Sequence, residues 1–80
     1  MPKDYLVTYV EDGRVMGKRI GEIFYFQQEA IEFAKRLRAS RPIEFLNAVE
    51  VYEGNHGVFD EYVKRHATLA ALSGRKIFSI

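Results

Sequence analysis

The side chains able to do chemistry are few and scattered. His56 and His66 are the two histidines. With Asp60 or Glu61 they could in principle hold zinc, but their spacing matches no ligand pattern, and the donors would have to converge through tertiary folding alone. The plainer reading makes His56 a turn residue, because histidine tolerates positive φ, and His66 a boundary residue on the packed face of a helix. A nucleophilic triad would need Ser or Thr beside a histidine and a carboxylate. Ser40, Ser73 and Ser79 fall at helix ends or near the C-terminus, outside any strand–turn–helix elbow. Asp60-Glu61 reads more simply as the acidic start of a helix. Gly13, Gly17 and Gly21 recur at regular spacing but lie within a hairpin rather than between a strand and a helix, so they form no phosphate cradle. The expectation is a non-enzymatic chain with no cofactor and no metal.

The residues that interfaces use are better represented. Lys35, Arg36, Arg38 and Arg41 cluster at the end of a helical segment. Cations there complement the helix dipole, and they could also form an anion-binding or partner-binding patch. Tyr5 and Tyr9 share one face of the first strand, and Tyr52 is opposite in phase to Val49 and Val51. Tyrosine and arginine are common interface anchors. These seven residues are the expected partner-binding set; the plain alternative for each tyrosine is a half-buried sheet residue.

The pattern around them predicts the elements. Tyr5 to Val10 reads as a strand, and Asp12-Gly13 suits a two-residue type I′ turn that would set Glu11 against Arg14 and Val10 against Val15. A second strand runs from about Arg14 to Phe26 with bends at Gly17 and Gly21. Its Ile23-Phe24-Tyr25-Phe26 run is apolar on both faces, as in a central strand or one covered on its second side by a partner. A helix spans about Gln28 to Ser40, with Ala30, Phe33, Ala34 and Leu37 on one face, Glu32 and Arg36 paired on the other, and Pro42 beyond its end. Ile43 to Glu53 forms a third strand, with Ile43, Phe45, Val49 and Val51 on one side and a loop over Glu53–Gly57 after it.

Beyond that loop two readings stand. Asp60 could cap a helix ending at Ser73, with Tyr62, Val63, His66, Leu69 and Ala70 on its packed face and Gly74 as a left-handed stop. Alternatively, residues 58–64 could form the return strand of a hairpin. Cap, apolar face and glycine agree on the helix. Lys76 to Ile80 closes the chain as a short strand. The expected class is α+β: a small, mostly antiparallel sheet with helices on one face, in the order β-β-α-β-α-β, or β-β-α-β-β if the return strand forms.

Composition bounds the function. Eighty residues make one domain of residues 1–80. So small a chain buries only about 60% of its unfolded surface. It has no cysteine, so neither a disulfide nor a thiolate zinc site can compensate. Its six phenylalanines and five tyrosines must supply the apolar mass, and dimerisation would add more. Twelve basic and eleven acidic side chains nearly cancel, which disfavours both a nucleic-acid coat and an acidic nucleic-acid mimic. No apolar run approaches the roughly 20 residues of a membrane helix, and Met1-Pro2-Lys3-Asp4 does not open a signal peptide. The expected setting is the cytoplasm, without membrane association.

The order of hairpin, aromatic strand, then Gln28-Glu29-Ala30-Ile31-Glu32-Phe33-Ala34 and a further strand resembles small phage-encoded accessory proteins, among them anti-CRISPR and other host-takeover inhibitors. The resemblance covers architecture from about Tyr5 to Tyr52 and carries over no functional residue. It implies a chain that works by sitting on a larger partner. The function expected is therefore a binding protein that occludes or bridges a macromolecule, with a protein partner favoured. One alternative is a nucleic-acid-binding module using the basic helix end and sheet tyrosines as stacking platforms; another is a homodimeric ligand-binding or small enzyme subunit.

Overall fold

Alternation along the first strand decides the architecture. In the computed structural model, which describes residues 2–10, 19–40, 49–63 and 66–80, strand β1 spans Lys3–Tyr9. Tyr5, Val7 and Tyr9 point to one side and Asp4, Leu6 and Thr8 to the other. Leu6 and Val7 are both 0% exposed. Neighbouring strand residues can both be buried only if each face is covered, and β1 is central because it pairs with a strand on either edge. The sheet runs β2(Ile20–Phe24)-β1-β3(Glu50–Asn55)-β4(Arg75–Ser79), every pair antiparallel. With helices α1 (Gln27–Ala39) and α2 (Ala67–Leu72) the order is β-β-α-β-α-β. The chain is thus a small α+β fold with an antiparallel sheet, and residues 58–63 are turns rather than a return strand.

The two helices lie on opposite faces, which corrects the expectation of one helical face. α1 sets the fully buried Ala30 and Ala34 against Val7, Val49 and Val51, flanked by Phe33 and Leu37. α2 sets Ala70 and Ala71 against Leu6 on the other side, together with Phe59. The physical reason is the strand period: Leu6 and Val7 cannot be covered from the same side.

The second helix is shorter than its sequence pattern implies. It begins at Ala67 with His66 at the N-cap, and Asp60 lies in the preceding turns. Those turns deliver Phe59, 0% exposed, onto the sheet, with Val63 N–H donating to the Phe59 carbonyl at 3.1 Å. Phe59 rests on two glycines. A Cβ on Gly54 would lie 2.8 Å from its Cζ, and one on Gly74 would lie 2.7 Å from Cζ and 2.8 Å from the Glu53 carbonyl oxygen. Gly74 is therefore required by close approach and not as a left-handed stop; the left-handed glycine among the described residues is Gly57, φ +86°.

Boundaries elsewhere move by small amounts. α1 starts and ends one residue earlier than expected, and its carbonyls are closed by Ser40, whose N–H donates to Arg36 and whose hydroxyl donates to Leu37. Glu32 accepts from Gln28 at 3.0 Å. β2 lies at the end of the described strand order, not in its centre, and Tyr25 and Phe26 fall beyond it. A tight turn at Asp12-Gly13, extended without a bulge, would set Tyr9 against Met16; the observed register sets Tyr9 against Ile20. Burial of Leu6 beside Ile23 and of Tyr5 beside Phe24 fixes that register. Asp12-Gly13 itself, the partners Glu11, Arg14 and Val15, Gly17, Pro42, and Ile43 and Phe45 of the third strand all lie outside the described residues.

Candidate interaction surfaces

The basic cluster sits on the solvent side of α1, in its last turns. Lys35 and Arg36 are exposed and Arg38 is half-exposed; Arg41 lies outside the described residues. At about 100° per residue the three cations splay around the helix rather than aligning in a row. Lys35 leans back over the sheet edge, its Nζ 5.8 Å from the centre of the Phe78 ring.

The tyrosines do not join this patch. Tyr5 and Tyr9 face inward under α1. Tyr9 is only 8% exposed and meets Phe33 edge-on at 6.2 Å, so it cannot present its ring to a partner. Tyr52 is half-buried on the opposite face, beside Leu6 and Phe59. Of the seven expected residues, the six described ones divide between two faces, and the tyrosines among them take part in packing.

Tyr52 belongs to a polar strut across the sheet. Its hydroxyl donates to Glu50 Oε1 at 2.9 Å, Lys76 Nζ donates to Glu50 Oε2 at 3.0 Å, and Arg19 approaches Oε1 at 3.8 Å while donating to the Thr8 hydroxyl and carbonyl. Burial alone would raise the Glu50 pKa. The hydrogen bonds from Lys76 and Tyr52 and the charges of Lys76 and Arg19 outweigh it and hold the carboxyl below its ordinary value. Burial, with the neighbouring Glu50, pushes the Tyr52 phenol up. A phenol kept protonated and a carboxylate with both oxygens engaged make a brace, not a nucleophile and its base.

A second polar centre pairs Asp4 with His56. Asp4 is 0% exposed, yet its Oδ1 lies 2.8 Å from His56 Nδ1 and its Oδ2 accepts the Gly57 N–H at 2.9 Å. The His56 side chain is itself exposed, with the Tyr25 ring centred 6.1 Å away. No nucleophile is hydrogen-bonded to this pair, and no group of three or more His, Asp and Glu capable of holding a metal occurs among the described residues. Nor is any described helix long and apolar enough to cross a membrane.

What the sequence reading missed is the outer face of α2. Leu69 is 51% exposed and Leu72 76% exposed. They lie one turn apart on the side opposite Ala67, Ala70 and Ala71. The expected packed face holds at Ala70, which is fully buried, and is corrected at Leu69, which was placed on it and is exposed. The alanines lie close to the sheet: a Cβ on Gly21 would stand 3.4 Å from that of Ala67. Ahead of the ridge, Tyr62, 36% exposed, packs edge-on against His66 at 6.5 Å. The alanine spacing at 67, 70 and 71 was the signal that could have revealed this face.

No protein-family model matches the chain, and neither a curated protein nor a solved structure is significantly similar to it.

Proposed function

We propose that this chain is a non-catalytic binding protein that docks onto another protein through the Leu69–Leu72 ridge of α2. The observation that carries the reading is the inverted helix, which buries three alanines and leaves two leucines in water. Fully burying a leucine is worth about 1.5–3 kcal/mol, and this chain leaves most of that gain unrealised at Leu72. α1, with the exposed cations Lys35 and Arg36, lies on the far face of the sheet, so a second, acidic partner could be held at the same time, which is the geometry of a bridge. Occlusion of a host defence or nucleic-acid-processing complex, the mode of the phage accessory inhibitors, would use the same ridge. The nucleic-acid alternative is weaker, because Tyr5 and Tyr9 lie under α1 and offer no stacking platform.

The test compares wild type with Leu69→Lys/Leu72→Lys in pull-downs from host lysate read by mass spectrometry. A partner retained by wild type and by Lys35→Ala/Arg36→Ala/Arg38→Ala, but lost from the folded ridge variant, is the expected result. Equal retention by the ridge variant would reject the reading. Self-association of wild type, abolished in the ridge variant, would assign the ridge to a homodimer instead.

A further inference from the structure

We propose that Asp4, His56 and the Gly57 amide form a pH-sensitive clasp, in which protonated His56 holds the turn between β3 and α2 against the start of β1. A fully buried carboxylate needs both a counter-charge and donors. Among the described residues Asp4 finds its donors at this turn: His56 Nδ1 on one oxygen and the Gly57 N–H on the other. The contact is long-range, joining residues 52 and 53 positions apart in the chain. It is reinforced where the His56 N–H donates to the Pro2 carbonyl at 3.3 Å. The positive φ of Gly57 then lets the chain reverse toward Phe59.

The charged and titratable groups around His56 come from three places. β1 supplies Asp4, with Lys3 hydrogen-bonded to Asn55; the end of β2 supplies Tyr25; the turn supplies Asp60. The hydrogen bond and charge of Asp4, helped by Asp60, raise the His56 pKa above its ordinary value. A raised folded-state pKa means the clasp is complete below the unfolded value of about 6.5 and is lost as pH climbs through the folded value. Neutral His56 can still donate from Nδ1, so what the clasp loses is the positive charge beside the buried Asp4 carboxyl and not the hydrogen bond itself.

Two measurements on the intact chain test this. NMR titration should place the His56 midpoint above about 6.5, and Asp4→Asn should bring it down. Protection of the Gly57 amide, with intrinsic exchange divided out, should fall by about threefold or more between about pH 6 and pH 8.5, and His56→Gln should flatten that dependence. If Asp4→Asn does not fold, the wild-type titration and exchange profile still decide. A His56 midpoint at or below the ordinary value, or Gly57 protection that is flat with pH, would overturn the clasp. Neither readout depends on what docks on α2.

Discussion

At the scale of single residues, the tightest constraint is the seat of Phe59. Its ring is fully buried between Gly54 and Gly74, and the space above Gly74 is bounded on a second side by the backbone carbonyl of Glu53. A flexible side chain could yield to an added methyl, but a strand carbonyl cannot. Gly74→Ala is therefore expected to destabilise by about 1–3 kcal/mol through overpacking, even though the position needs no left-handed backbone. Urea unfolding should show a lower midpoint with an unchanged slope. A variant as stable as wild type would mean that Phe59 is seated elsewhere. The same scale shows what sequence cannot supply. Gly74 was legible as a terminator after an apolar helix, but the close approach that demands it depends on Phe59, Glu53 and Gly54, which only the fold brings together.

At the scale of elements, the existence of the four strands and both helices was legible, while the start of α2 and part of its packed face were not. β1 announced itself by its β-branched and aromatic run, and α1 by apolar residues at helical spacing. Val49 and Val51 were correctly placed on one side, with Tyr52 on the other. The face of α2 was read correctly at Ala70 and wrongly at Leu69, the larger residue placed inward. In a six-residue helix lying close over the sheet, volume decides, and the small alanines take the inside. The tyrosines of the expected surface are drawn into packing: Tyr9 meets Phe33 under α1, and Tyr52 is half-buried beside Leu6. This orientation of α2 has a measurable consequence. Leu69→Lys and Leu72→Lys should each leave stability within about 0.5 kcal/mol of wild type, while Ala70→Leu should cost about 1–3 kcal/mol. Thermal melts of the three variants would decide it, and the opposite ranking would mean that the helix is rotated.

At the scale of the whole molecule, one sheet separates two cores that share strands but few side chains. Val7, Val51 and Phe33 belong to the layer under α1, and Leu6, Phe59 and Ala70 to the layer under α2. Two expectations compete. If the sheet transmits repacking, loosening one layer should alter what a change in the other layer costs. If each layer settles against its own face of a rigid sheet, the costs should add. Backbone pairing along β1 is continuous with both neighbours, over Tyr5–Tyr9 with β2 and Lys3–Thr8 with β3. That ladder fixes the β1 backbone from both sides and leaves side-chain repacking as the available response. Sites without shared partners usually add within about 0.3–0.5 kcal/mol. Phe33→Leu and Phe59→Leu, each mild enough to leave a small chain folded, should therefore combine additively in a double-mutant cycle. A pair within one layer, Phe33→Leu with Tyr9→Leu, should not, because those rings touch. Coupling above about 1 kcal/mol across the sheet would show that the two layers act as one core, and that docking on α2 is felt at α1.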